Sequence, residues 1–418
     1  MKTTTFFACL IGFCFTQVQA QENGCVLQAK KVDSLVVAND FNKAFDAWKQ
    51  VAKCQDESLY RNGEKILTYK LSTKLSPEDK TRYETDLVQL YGDYDRYFPG
   101  NKNSNIVKKA MFLYKKDSNN PQVFESLDRA FTKDRENFSD AAAMQIYFDL
   151  FIAQVKSEKD QSMTDFKIIR TRDEILQRLG QLLAETGNKD YSLVSESIRR
   201  TAKPIATCET LEKYYAKEIG FKANENTAWF QMVSENLADD CPRSKLYYDV
   251  ASKWYALAPD AKSAYHLAQA SVQQRKRAEA SKYYRHAAEA ETDATQKAEI
   301  LYTLAAMEIG NPNESAELLR QSLKAKPDFG KGALLLAEVY ASTDCGNNAF
   351  EKKARYLLAA QTARRAGALD ASLKKASESR AAQYEKLAPS ANEIKSAKMN
   401  GKTITFGCGI NESVTLPQ

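Results

Sequence analysis

Histidine, glycine and proline are all scarce in this sequence of 418 residues, which holds 2 His, 16 Gly and 10 Pro. Usual shares are roughly 7% Gly and 5% Pro, so turn residues are too few for an all-β chain or for long flexible linkers. Two histidines nearly exclude a His-built metal site or a relay that needs several imidazoles. Charge of one sign is also missing. The 60 Lys+Arg and 54 Asp+Glu leave a net charge of +6, too small and too evenly spread an excess for nucleic-acid binding. Beyond the N-terminus no apolar run approaches the roughly 20 residues that span a bilayer. What remains is 43% hydrophobic and 27% charged, a globular composition. The length suits two or three domains or one repeat array.

The N-terminus reads as an export signal. Met1-Lys2 is followed by three threonines, an apolar run from Phe6 to Phe15, and Val18-Gln19-Ala20 before Gln21. A basic start, an apolar stretch of about ten residues and a small-x-Ala exit describe a secretory signal peptide over 1–20, with cleavage after Ala20. Phe13, just before Cys14, is bulky where a lipid-modification signal wants a small residue.

Export decides how the cysteines are read. Cys9 and Cys14 leave with the signal, so Cys25, Cys54, Cys208, Cys241, Cys345 and Cys408 remain of the 8 in the chain. In an oxidising compartment six cysteines suggest three disulfides, with 15 possible connectivities. Sequential pairing is the simplest. It would staple two hairpin-sized loops and tie the C-terminus back through Cys345 and Cys408. There is no C-x-x-C pair and no nearby His, so neither a metal nor a redox centre is expected.

Apolar residues recur every three or four positions, the pattern of amphipathic helices. Phe41, Ala44, Trp48 and Val51 share a face, as do Leu59, Ile66 and Tyr69. Ser76-Pro77-Glu78-Asp79 is a helix start: a Ser cap, Pro at the first position and acids in the first turn. Its helix carries Tyr83, Leu87, Leu90 and Tyr94 until Phe98-Pro99-Gly100. Ser139-Asp140 opens another, with Met144, Tyr147, Phe148, Phe151 and Val155 inward. Helices are also expected over Asp173–Leu183 and Tyr191–Ala202. These form a helical-hairpin region, 21–245.

Composition then shifts, with 34 alanines in 251–392 against 18 in the longer stretch 21–250. Alanine lets helix backbones approach closely, so 246–392 should hold tightly stacked hairpins. An internal repeat appears here. One copy has Tyr265, Leu267 and Ala268, then Ala280, Tyr284 and Ala287. The next has Leu304 and Ala305, then Leu319, Ser322 and Pro327. The third has Ala333, Leu336, Ala337 and Tyr340, then Ala359, Ala363 and Ala366. The anchors Leu267, Leu304 and Leu336 recur at an average of about 34 residues. Over 261–371 this resembles the tetratricopeptide (TPR) repeat, with small residues at fixed places and often a late proline. Pro327 fits that last place; Thr292 and Ala371 depart from it. Residues 41–51 look like the second helix of another such hairpin.

In the tail, 393–418, Asn400-Gly401 is a turn signal. Alternating β-branched residues on either side of Gly407-Cys408-Gly409 read as two short strands. A lone hairpin is marginal, so Cys408 should pin it to the last repeat. The fold class expected is therefore all-α, a TPR-like α-α superhelix with a short C-terminal β-hairpin. The exported hairpins, the stapled first hairpin and the Gly-Cys-Gly-Ile-Asn-Glu segment resemble secreted repeat proteins of Bacteroidetes-type Gram-negative bacteria. That resemblance implies a periplasmic or outer-membrane-associated scaffold.

Motifs for chemistry are missing: no phosphate loop, no G-x-G-x-x-G, no H-E-x-x-H and no G-x-S-x-G. His266 and His286 are expected to be structural, Asp239-Asp240 and Glu289/Glu291 to be caps or solvated faces, and Arg275-Lys276-Arg277 to sit in a hairpin turn. No catalytic residue, metal ligand or cofactor is assigned. Stacked hairpins curve, with the first helix of each lining a concave groove. The groove candidates are Lys262, Tyr265, Gln269 and Gln273, then Glu299 and Tyr302, then Lys331, Leu334 and Glu338. Amides, aromatics and both charges suit an extended peptide or a partner helix. The leading expectation is a non-enzymatic envelope scaffold that binds exported proteins or peptides. The alternative is a glycan- or nutrient-binding envelope protein of an outer-membrane uptake system, which calls for a Trp-lined platform from Trp48, Trp229 and Trp254.

Overall fold

The computed structural model describes residues 25–51, 54–100, 105–156, 161–219 and 226–418. The expected signal segment 1–20 and its cleavage point after Ala20 lie outside the described residues. The chain forms two compact units, Met1–Ile205 and Ala206–Gln418. The compositional change near 246 falls within the second.

In the first unit the helices are α1 (25–37), α2 (Phe41–Val51), α3 (Glu57–Ser72), α4 (Pro77–Tyr97), α5 (Asn105–Lys116), α6 (Pro121–Lys133), α7 (Ala141–Val155), α8 (Gln161–Thr186) and α9 (Asp190–Ala202). Sequence neighbours pack against each other because their connections are short, and α7 meets α9 as well as α8. Cys25–Cys54 closes the α1/α2 hairpin, so α2 is indeed the second helix of a pair. Val32, Ala44, Trp48, Leu59 and Ile66 are buried in one cluster with Tyr83, Leu87 and Tyr94. The Trp48 indole N–H donates to the Leu59 carbonyl at 3.0 Å. Its ring lies over Gly63, where a Cβ would meet the indole at 2.8 Å, so only glycine admits this approach. Ser76 caps α4 by accepting from the Asp79 N–H, with Pro77 behind it. Asp140 caps α7.

Three expectations need correction here. Tyr69 is exposed and stacks on Phe41 at 4.5 Å instead of entering the core. Phe151 is only half-buried. The helix expected over 173–183 begins at Gln161. Its continuation was hidden by Arg172 and Asp173, a buried pair in which two guanidinium nitrogens donate to Asp173 Oδ1 at 3.0 and 2.8 Å.

The second unit holds α10 (Cys208–Ile219), α11 (Thr227–Asp240), α12 (Lys245–Leu257), α13 (Ala261–Gln273), α14 (Arg277–Ala290), α15 (Ala294–Met307), α16 (Pro312–Ala325), α17 (Gly330–Ser342), α18 (Ala349–Leu369), α19 (Lys374–Glu385) and α20 (Ala391–Ser396). The strands β1 (Thr403–Thr405) and β2 (Ser413–Thr415) follow. The three repeat copies are the hairpins α13/α14, α15/α16 and α17/α18, all antiparallel and in series. Their signature positions are where helices touch. Ala268, Ala280, Ala287, Leu304, Ala305, Leu319, Ala333, Leu336, Ala359, Ala363 and Ala366 are all buried. Two serines enter this core without leaving a hydroxyl unpaired: Ser315 donates to the Ala305 carbonyl at 2.9 Å and Ser322 to that of Ala298 at 2.8 Å. Upstream, α11/α12 is a further hairpin, and Cys208–Cys241 ties the start of α10 to the end of α11.

The tail forms the expected hairpin, antiparallel with Ile404 opposite Val414. Ile404, Phe406, Ile410, Val414 and Leu416 are buried in the same cluster as α15–α19. Cys345–Cys408 fixes it covalently. Arg320 of α16 donates to the carbonyls of Gly409 and Ile410 at 3.2 and 2.9 Å. Gly409 has φ +81°, and a Cβ there would collide with Asn313. Among the described residues no helix is long and apolar enough to cross a membrane.

Candidate functional site

The nine groove candidates fall on the first helices of the three repeats: Lys262, Tyr265, Gln269 and Gln273 on α13, Glu299 and Tyr302 on α15, and Lys331, Leu334 and Glu338 on α17. Two of these helices are fixed by a side-chain cap at their start. Asp260 and Ser263 form a reciprocal capping box on α13 and Asp293 caps α15. The opposite faces of these helices carry the Ala and Leu of the core, so the candidates stand at the boundary between core and solvent. Lys262, Lys331 and Gln273 are exposed, and the other six are half-buried.

They are joined across helices. Glu299 on α15 pairs with Lys331 on α17 at 3.8 Å. Lys262 reaches back to Glu235 on α11 at 2.5 Å, and Glu338 reaches forward to Arg380 on α19 at 2.9 Å. Within α13 the Gln269 amide donates to the Tyr265 hydroxyl at 2.9 Å. Burial raises the Tyr265 pKa, and the Glu299 carboxylate adds to that rise. Tyr302 packs edge-on against Phe329 at 5.8 Å, and Leu334 lies against the core. One row of side chains therefore runs over α11, α13, α15, α17 and α19. Gln273 stands outside this bonding, with no hydrogen-bond partner among the described residues.

Two members of the row, Glu235 and Arg380, were not singled out from sequence because the repeat match stops at 261–371. The signal was there for one of them. The starts of α11, α13 and α15 at 227, 261 and 294 keep a spacing of about 34 residues, which extends the repeat one hairpin upstream.

Both histidines are hydrogen-bonded within the repeats. His266 Nδ1 sits 3.1 Å from the Tyr247 hydroxyl, and His286 Nδ1 sits 2.7 Å from that of Tyr255. Burial lowers the His266 pKa to about 4; Lys262 pushes the same way and Glu235 opposes. Arg275 and Lys276 occupy the α13–α14 turn, and Arg277 opens α14. Lys276 lies 3.8 Å over the Tyr248 ring, and Arg277 donates to the Met307 carbonyl. Glu291 accepts from the N–H groups of Thr292 and Asp293. Among the described residues no group of three or more His, Cys, Asp and Glu is placed to hold a metal ion. Trp48, Trp229 and Trp254 are all buried in helix packing. A wider cavity of about 790 Å³ in the first unit, between α4, α5 and α6, is lined by Tyr91, Lys109, Arg129 and other mixed polar groups and by none of the candidates.

No family model matches the chain, and no curated protein matches it. Among solved structures it is similar to yeast Tom70, with 10% identity, 90% of this chain and 83% of that one covered, and a TM-score of 0.31. The structure of Naa15/Naa10 bound to HypK-THB gives 12% identity over 90% of this chain and 70% of that one, with a TM-score of 0.25. The TPR2AB domain of yeast Sti1 in complex with pHSP90 gives 13% identity over 79% of this chain and 98% of that one, with a TM-score of 0.20.

Proposed function

We propose that the protein is a non-enzymatic scaffold of the Gram-negative cell envelope that holds other exported proteins or peptides along the first-helix face of its second unit. The observation that carries this reading is the row Glu235–Lys262, Tyr265–Gln269, Glu299–Lys331 and Glu338–Arg380. These contacts join α11 to α13 and α15 to α17 and α19, and the Glu299 carboxylate acts on Tyr265 across the gap between the two groups. At roughly 10 Å between neighbouring helices the row is on the order of 40 Å long, the length of about twelve extended residues. Such a surface suits a chain more than a compact metabolite.

Its chemistry narrows the partner. Lys262, Lys331 and Arg380 already face carboxylates, so the row offers no lone cation for a terminal carboxylate. Tyr265, Tyr302 and Leu334 present half-buried apolar area between the charges, and preorganised area of that kind favours binding because little side-chain freedom is lost. Three cysteine pairs suit an oxidising compartment, and the signal-like N-terminus agrees with export to the periplasm or the outer membrane.

The test is affinity purification of the full chain from native envelopes in mild detergent, beside a Leu334→Lys variant. The expected result is a set of co-purifying proteins that the variant loses. Equal recovery by both chains, or no protein with either, contradicts the reading.

A further inference from the structure

Tyr284 on α14 is 3% exposed, yet its hydroxyl has no hydrogen-bond partner among the described residues. The tyrosines around it differ. Tyr247 bonds His266 and Gln269, Tyr265 accepts from Gln269, Tyr248 donates to Glu279 at 2.7 Å, and Tyr255 bonds His286. The Tyr284 hydroxyl keeps a small contact with solvent, so a group that covers it must pair with it to avoid a loss. Tyr284 lines a cavity of about 160 Å³ between α11, α12, α13 and α14.

The walls of that cavity are uncharged. Ala238, Pro242 and Val272 supply apolar surface, and Tyr247, Gln269 and Gln273 supply polar groups. No Asp, Glu, Lys, Arg or His lines it. A charged group entering would lose hydration and meet no counter-ion. An aliphatic group would leave the Tyr284 hydroxyl unpaired. Gln269 is already engaged through both ends of its amide, accepting from Tyr247 at 3.4 Å and donating to Tyr265 at 2.9 Å. The polar groups of the wall with no partner among the described residues are therefore the Tyr284 hydroxyl and the Gln273 carboxamide. A ligand carboxamide matches both: its carbonyl accepts from Tyr284 and its NH₂ donates to Gln273 Oε1. Its methylenes would lie against Val272, Ala238 and Pro242.

We infer that this cavity is a specificity pocket of the groove and takes the side chain of a glutamine or asparagine in a bound peptide. Gln269 belongs both to the first-helix row and to the pocket wall, with Gln273 one turn further along α13, so a chain lying on the row can drop one side chain into it. The inference rests on the peptide-binding reading of that face and names the residue class it selects.

A random peptide library displayed on phage is panned against the full, disulfide-bonded chain, and recovered peptides are measured by calorimetry against wild type, Tyr284→Phe, Gln273→Ala and Leu334→Lys. Tyr284→Phe removes one oxygen and keeps the ring, so folding is preserved. The expected result is enrichment of Gln or Asn at one fixed position, with Tyr284→Phe weakening those peptides roughly three- to tenfold. Replacing that Gln or Asn by Glu or Leu should weaken binding to wild type and leave the residual affinity insensitive to Tyr284→Phe. Peptides that lose binding with Leu334→Lys but show no amide preference and no response to Tyr284→Phe overturn the pocket and leave the groove standing. Recovery of no peptide overturns both. Tyr284-dependent binding of N-acetylglucosamine, tested in parallel, would overturn the peptide assignment in favour of a sugar.

Discussion

His266 Nδ1 lies 3.1 Å from the hydroxyl oxygen of Tyr247, and both side chains are buried behind the first-helix row. The imidazole is held neutral there. Its pKa is lowered from 6.5 to about 4, chiefly by burial, with Lys262 on the same helix adding to the fall and Glu235 on α11 opposing it. The unfolded chain takes up this proton as pH drops through 6.5, while the folded chain resists until about 4. Stability from this group is fully present above 6.5, declines as pH falls toward 4 and is level below that. The gap corresponds to about 3 kcal/mol at most. Urea unfolding of the second unit from pH 7.5 to 4.5 should show that decline, and His266→Gln should remove most of it. An equal decline in the variant would assign the effect to other groups.

The alanines at the hairpin contacts set how closely the helices approach. Ala363 on α18 has no exposed surface and lies in the cluster that also holds Leu336 and Tyr340. Ala363→Leu adds three carbons where no space exists and should cost about 1–3 kcal/mol. Exposed Ala306 on α15 should tolerate the same change within about 0.5 kcal/mol. Calorimetric unfolding of the two variants separates them, and equal losses would contradict close packing at Ala363.

The tail is held by one covalent tie, two Arg320 hydrogen bonds and its own buried apolar side chains. Cys345–Cys408 closes a loop with a sequence separation of 63 residues, which in the chain-entropy account contributes about 4 kcal/mol. Cys408→Ser should lower the unfolding temperature of the second unit and expose the chain beyond Ser396 to limited proteolysis. Arg320→Ala should give a smaller loss, with the tail still attached. A tail that stays protease-resistant in Cys408→Ser shows that the buried Ile404, Phe406, Val414 and Leu416 hold it without the bond.

The ion pairs of the row are exposed, so their effect on stability is small. Lys331→Ala and Glu299→Ala should each change the unfolding free energy by less than about 1 kcal/mol. A double-mutant cycle in low and high salt measures the coupling, which should shrink with salt. A coupling of several kcal/mol would place the pair in a much drier setting than its exposure indicates.

How far the sequence could be read depended on which force sets each feature. Ser76-Pro77, Asp140 and the turn at Arg275 are local devices, and they sit where their chemistry requires. The spacing of Leu267, Leu304 and Leu336 reports helix contacts within each hairpin, so the hairpins were legible. The simplest pairing of six cysteines is the one seen. Features set by two distant segments were harder to read. Arg172 and Asp173 looked like a polar edge because each hides the other's charge. Tyr69 leaves the core because Phe41 offers it a stacking surface. Lys262 and Glu338 were candidates from their repeat positions alone, whereas their partners Glu235 and Arg380 depend on how neighbouring hairpins sit. Tyr284 looked like a plain packing aromatic, since nothing in a 34-residue period tells which hydroxyl lacks a partner.

The most direct measurement is photo-crosslinking in intact cells from a benzophenone amino acid placed at Leu334 or Tyr302 on the first-helix row, and at Lys282 or Gln321 on second helices. Adducts with other exported proteins should form from Leu334 and Tyr302 and be absent from the second-helix positions. Adducts distributed equally over both faces, or none from Leu334 and Tyr302, would contradict the first-helix row as the surface that holds a protein partner.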